Sequence, residues 1–151
     1  MDSYRAIENL LYTYGQLIDT GNLEGMANLF TDAQYVGPDG KVVAEGAQEY
    51  LALLRSVVKI YEETGTPCTK HVITNALIEV NEATDSAVAG SYFTVFQATE
   101  ELPLQPIMAG RYEDAFVRVE EVWRFQRRQT IPELYGNLSQ HLLFDASQLR
   151  R

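Results

Sequence analysis

The sequence predicts an α+β fold in which N-terminal helices cover one face of a curved sheet. Two observations carry this expectation. Apolar residues recur at three- and four-residue spacing through the first part of the chain, and after Pro67 the period changes to two. No composition break, repeat or low-complexity segment divides the 151 residues, so one domain over residues 1–151 is expected, with a single core.

From Ser3, the residues Ile7, Leu10, Leu11, Tyr14, Leu17 and Ile18 fall on one face of a helix that should end at Asp19-Thr20-Gly21. Asn22 is placed to cap a short second helix, whose stripe is Leu23, Met26, Ala27, Leu29 and Phe30. Asp32 to Asp39 reads as a short strand entering the turn Gly37-Pro38-Asp39-Gly40. A third helix follows Gly46, with Tyr50, Leu51, Leu54, Val57, Val58 and Tyr61 as its stripe, and fades at Glu62-Glu63-Thr64-Gly65. Thr69 to Val80, Ala87 to Gln97, Ile107 to Val119 and Val122 to Thr130 are rich in β-branched and aromatic residues and read as four long antiparallel strands. Glu120-Glu121 and Asn81 to Asp85 are short turns, and Ala98 to Gln105 is a longer loop.

A net charge of −9 and a pI near 4.6 repel phosphate backbones and anionic lipid surfaces, so neither nucleic acid nor a membrane is an expected partner. Arg124, Arg127 and Arg128 form the one basic cluster, and in a strand alternation they read as strand surface with at most one inward arginine. Cys68 is the sole cysteine, which excludes an internal disulfide and fits a reducing, cytoplasmic location. No export signal or spanning segment is read at the N-terminus. His71 and His141 lie 70 positions apart without HExxH spacing or clustered carboxylates, so no metal is expected.

Histidine is the side chain that acid–base sites most often use, and His71 sits early in a strand, on a face with Ile73, Asn75 and Leu77. Either face of that strand can be the inner one, and a packed or rim histidine is the plainer reading. Asp19 stands at the C-terminal end of the first helix, where the helix dipole disfavours a carboxylate, so its placement asks for a reason beyond a polar turn. Tyr14 lies on the apolar stripe and needs a partner for its hydroxyl, whether substrate or a backbone carbonyl.

The run IENLLYTYGQLIDTGNLEGMANLF at Ile7 to Phe30 resembles the opening of SnoaL-like proteins in the nuclear transport factor 2-like superfamily. TKHVITNALIEV at Thr69 to Val80 matches their histidine-bearing strand. GRYEDAFVRVEEVWRFQRRQ at Gly110 to Gln129 is similar to their final hairpin, and NLSQHL at Asn137 to Leu142 to a common tail. The similarity spans nearly the whole chain. It implies a cone, in which a curved antiparallel or mixed sheet wraps three N-terminal helices and encloses a pocket.

Scytalone dehydratase, bile acid 7α-dehydratase and hexachlorocyclohexane dehydrochlorinase belong to that superfamily and use an Asp/His pair. The resemblance carries the pair onto Asp19 and His71, and the bile acid enzyme's tyrosine onto Tyr14. It implies a cofactor-independent lyase or isomerase acting on a hydrophobic cyclic, steroid-, polyketide- or aromatic-derived molecule, with dehydration the first choice. His71 would take a proton from carbon, Asp19 would hold the ring, and Tyr14 or Tyr92 would polarise or protonate oxygen. Asn75 and Arg111 are further substrate contacts in this scheme, though Arg111 has an ion pair with Glu113 or Asp114 as an equal alternative. Leu10, Leu54, Tyr92, Phe96 and Met108 would form the walls.

The second pocket histidine of scytalone dehydratase has no evident counterpart, and His141 is placed at a subunit contact, outside the catalytic set. A homodimer or homotrimer is expected, with some of Tyr112, Phe116 and Trp123 on an outer or subunit-facing surface. The competing implication is a non-catalytic ligand-binding or scaffold module, like the small subunits of ring-hydroxylating dioxygenases. A catalyst should bring Asp19 and His71 within hydrogen-bonding reach inside a cavity, whereas a scaffold should fill the cavity with side chains.

Overall fold

A computed structural model describes residues 1–145. Helix α1 (Ser3–Asp19) starts where the Asp2 carboxylate accepts the Arg5 N–H, and α2 (Leu23–Asn28) where the Asn22 side chain accepts the Gly25 N–H. Strands β1 (Gln34–Val36) and β2 (Val42–Glu45) flank the expected turn, and α3 (Gly46–Val57) follows. Four long strands complete the chain: β3 (Thr69–Asn81), β4 (Ser86–Gln97), β5 (Gln105–Val119) and β6 (Val122–Tyr135).

The strands form one curled, unclosed sheet in the order β2-β1-β6-β5-β4-β3. All neighbours are antiparallel except β1 and β6, which run parallel. The helices fill its concave side, and the core there includes Ile7, Leu11, Phe30, Phe116 and Phe125, each at most 1% exposed. This is the expected α+β architecture with a mixed sheet.

Several local readings change. The third helix stops at Val57, because Val58 instead pairs with Leu142 in an isolated bridge, drawing the C-terminal segment across the end of the helix. β2 covers residues whose pattern is too short and mixed to announce a strand. β6 runs on past Thr130 through Pro132, where a strand is not expected. The proline sits at a register shift against β5, between the pairs Gly110–Pro132 and Ala109–Leu134, and beyond β1, which pairs with β6 only at residues 127–129. Tyr112, Phe116 and Trp123 are all buried, at 3%, 0% and 7%, which removes them from any outer surface.

The most consequential change is a bulge in β3. Its register against β4 shifts between Thr74 and Leu77, and Asn75 takes a positive φ of 53°. Before the bulge the inner positions are Thr69, His71 and Ile73, and after it they are Ala76, Ile78 and Val80. Asn75 and Leu77 therefore leave the His71 face, and Leu77 is 79% exposed. Among the described residues, no helix is long and apolar enough to cross a membrane.

Candidate active site

α1 lies against β3 at His71, with Gly15 opposite: a Cβ at position 15 would already stand 3.4 Å from the His71 Cβ and carbonyl. A larger side chain there would push the helix away. One turn on, the helix ends on Asp19, and Gly21 (φ 77°) lets the chain reverse where any Cβ would collide with the Gly65 carbonyl. These two glycines set Asp19 directly beside the start of β3.

The Asp19 carboxylate collects three hydrogen bonds from that strand. Oδ2 accepts the His71 backbone N–H at 2.7 Å, and Oδ1 accepts both the Thr69 hydroxyl at 2.8 Å and the His71 Nδ1 at 2.7 Å. Burial pushes the carboxyl pKa up, but the His71 contacts and the Thr69 hydroxyl overcome it and hold Asp19 below the usual carboxylate value. They also offset the unfavourable helix C-terminus. An ionised carboxylate can only accept, so Nδ1 of His71 carries the proton and Nε2 is left as the basic nitrogen.

His71 lines a cavity of about 310 Å³ between the helices and the concave face of the sheet. Its walls are mostly apolar, with Leu54 and Val57 from α3, Phe93 and Val95 from β4, and Met108 from β5 among them. Asp19 stands behind the ring and is not part of the lining.

Away from His71, Tyr14 and Tyr50 share a hydrogen bond between their hydroxyls at 2.7 Å, and Tyr35 donates to the Thr130 Oγ1 at 2.8 Å. Burial raises the pKa of Tyr14, Tyr50 and Tyr112, so these phenols stay neutral donors. Of the cluster Arg124, Arg127 and Arg128, it is Arg128 that points inward. It is fully buried and grips Asp114 through Nε at 2.8 Å and Nη2 at 2.9 Å, with its guanidinium 3.6 Å from the Tyr112 ring centroid and 4.2 Å from that of Tyr14.

Of the residues singled out in the sequence, Tyr14, His71, Leu54 and Met108 line the cavity. Five do not. Tyr92 is on the outer face of β4, where alternation sends Ser91 and Phe93 inward, and is 53% exposed. Phe96 shares that outer alternation and borders a separate crevice near Cys68 and Leu104. Asn75 is turned out by the bulge. Arg111 is paired on the surface with Glu113 and Glu133, the Glu113 pair being its alternative reading. Leu10 faces a groove beside Trp123 on the far side of the helix.

His141 reverses its assignment. It is 7% exposed, lines the cavity, and its ring centroid is 6.2 Å from that of His71. The segment is held there by backbone bonds from the Lys59 N–H to the His141 carbonyl and from the Leu143 N–H to the Val57 carbonyl, both 2.9 Å, and by the Tyr61 hydroxyl on the Gln140 carbonyl at 2.6 Å. Burial first, and the neighbouring His71 second, hold its pKa well below the usual histidine value, at about 4. Nδ1 of His141 is buried and has no hydrogen-bond partner among the described residues. No sequence signal distinguished it, because its position depends on where the tail crosses the sheet.

The sequence profile of the SnoaL-like domain matches residues 1–129. Among solved structures, a candidate scytalone dehydratase from Novosphingobium aromaticivorans is 27% identical, with a TM-score of 0.67 over 87% of this chain and 84% of that one. A Mycobacterium tuberculosis protein of unknown function is 25% identical, with a TM-score of 0.68 over 86% of this chain and 71% of that one. The beta subunit of a candidate aromatic-ring-hydroxylating dioxygenase from N. aromaticivorans shares the fold at 22% identity, with a TM-score of 0.66 over 86% and 88%. No curated protein matches the chain by sequence.

Proposed function

Because the chain belongs to the SnoaL-like domain family, we propose that it is a cofactor-independent lyase or isomerase that removes a proton from carbon in the cavity beside His71. The observation that carries this reading is the 2.7 Å bond from His71 Nδ1 to Asp19, on a ring that lines an open, mostly apolar space. A scaffold domain has no need to keep that space empty.

In the dehydration reading, His71 Nε2 takes a proton from a substrate carbon, and the C–H electron pair forms the new double bond. Asp19 stabilises the imidazolium. The C–O bond breaks with its pair on oxygen, Tyr14 supplies a proton so that water leaves, and the proton on His71 returns to the phenolate. Isomerisation uses the same base, with the proton returned to a different carbon. A volume near 310 Å³ and apolar walls suit a hydrophobic molecule of about one to two rings. The likeness to a candidate scytalone dehydratase supports the same class.

A homodimer or homotrimer in the cytoplasm completes the reading. The exposed apolar side chains Leu77, Val88, Tyr92 and Leu134 on the convex side of the sheet, and the likeness to a dioxygenase beta subunit, favour assembly through that face. Proton abstraction is tested with α-tetralone, an apolar bicyclic ketone, by following deuterium uptake at its α-carbon in heavy water. The expected result is exchange above the buffer rate that falls at least about 100-fold in His71→Asn. Equal exchange by both proteins would defeat the reading.

A further inference from the structure

His141 is a buried polar side chain for which the reaction just proposed has no use. Its Nδ1 lacks a partner among the described residues, in a residue that lines a mostly apolar cavity. Buried polar groups are nearly always satisfied, so an imidazole without a hydrogen bond in the lining of a cavity is a place where a bound molecule can complete the hydrogen bonding. The residue is not held there by its ring: the surrounding contacts clamp the backbone of residues 140–143, and the imidazole itself makes no hydrogen bond to the described residues. Any apolar side chain of similar size would pack as well.

The spacing of the two imidazoles adds to this. With ring centroids 6.2 Å apart and the planes tilted by 60°, His71 and His141 are too far apart to bond each other directly. A single polar atom placed between the rings can reach both. Asp19 fixes His71 as the base, while His141, kept neutral by burial and by its neighbour, offers an N–H and a lone pair rather than a charge.

We propose that His141 is a substrate-binding residue which hydrogen-bonds an oxygen of the ligand beside the reacting carbon, so that the cavity selects ring compounds carrying a carbonyl or hydroxyl over hydrocarbons of the same shape. This rests on the proposed reading in taking the cavity for the substrate site. Tyr14 and Tyr50 are engaged with each other at 2.7 Å, whereas the His141 ring has no hydrogen bond to the described residues, so an oxygen held between the two imidazoles gains a partner without breaking an existing bond.

The test compares α-tetralone with tetralin, its hydrocarbon counterpart, on the full chain. Binding is measured by calorimetry, with nitrogen NMR of the histidines in parallel. Wild-type protein is expected to bind the ketone about fivefold or more tighter than tetralin, with the His141 nitrogen signals moving on ketone addition only. His141→Phe should bind both about equally, and His141→Asn, which keeps a donor, should recover part of the preference. Thermal melts check that both variants fold, and the wild-type NMR response needs no variant. A ketone preference retained in His141→Phe, His141 signals indifferent to ketone, or failure of wild type to bind either compound would each overturn the proposal.

Deuterium exchange separates this from the fate of the proposed function. Loss of ketone preference in His141→Phe with no exchange by wild type leaves the binding role standing and removes the catalytic one. His71-dependent exchange with preference intact in His141→Phe does the reverse.

Discussion

Asp19 and His71 are joined twice, by the ring Nδ1 on one carboxylate oxygen and by the backbone N–H on the other, both at 2.7 Å. The two bonds fix different things. The backbone contact locks the end of α1 to β3, and the ring contact selects the tautomer and orients the imidazole. One carboxylate thus couples the packing of a helix on a sheet to the basicity presented to the cavity.

Asp19→Asn separates these effects. An amide can still accept through its oxygen, but it no longer stabilises an imidazolium and can offer an N–H to the wrong ring nitrogen. Exchange of the α-tetralone probe should slow about 10²- to 10⁴-fold. Stability should fall by about 1–3 kcal/mol in a urea titration.

Tyr14 and Tyr50 depend on each other, since each hydroxyl is the other's partner at 2.7 Å. Removing one takes away the other's hydroxyl partner, so Tyr14→Phe and Tyr50→Phe should each cost about 1–2 kcal/mol. The double variant should cost less than the sum, a coupling that a double-mutant cycle on urea midpoints reads out.

Arg128 and Asp114 form a fully buried ion pair. Arg128→Met strands the carboxylate, and Asp114→Leu strands the guanidinium beneath Tyr112 and Tyr14. Either single change should destabilise by about 3–5 kcal/mol, while the double replacement should recover much of that loss, again by chemical denaturation.

His141 makes stability depend on pH. Its folded pKa of about 4 lies below the 6.5 of an ordinary histidine, so between these values the unfolded chain binds a proton that the folded chain does not. Stability therefore rises with pH across this window and is lost as pH falls through it, by roughly 3 kcal/mol in all. The lowered Asp19 acts in the same direction, but at lower pH, because its carboxylate must be protonated below the usual carboxylate range. His141→Phe should flatten the profile of melting temperature between pH 4 and 6.5 and leave the more acidic limb in place.

The helical half was legible because each stripe is local: α1 ends at Asp19 and α2 begins after its cap Asn22, as the caps and glycines indicate. The four long strands were legible as strands and hard to read in facing. The bulge at Asn75 reverses the alternation of β3 midway and expels two residues from the face of His71, through a backbone dihedral that a sequence pattern does not show. On β4 the assignment failed for a related reason. Val95 and Phe96 are equally apolar, and only the packed helices decide which of them points inward. Asp19 and His71 lie within hydrogen-bonding distance, while Tyr14 lines the same cavity away from that pair. His141 needed the tail to be folded, because the Lys59 and Val57 backbone contacts that place it span about 80 residues of sequence.

Nitrogen NMR of the imidazoles at a pH of about 8 reports the tautomer of His71 without any substrate. The geometry requires Nδ1 to be protonated and Nε2 to be bare, with that preference weakened in Asp19→Asn. If the proton is found on Nε2 in the wild-type protein, His71 offers the cavity a donor instead of a base, and proton abstraction from carbon by this residue fails.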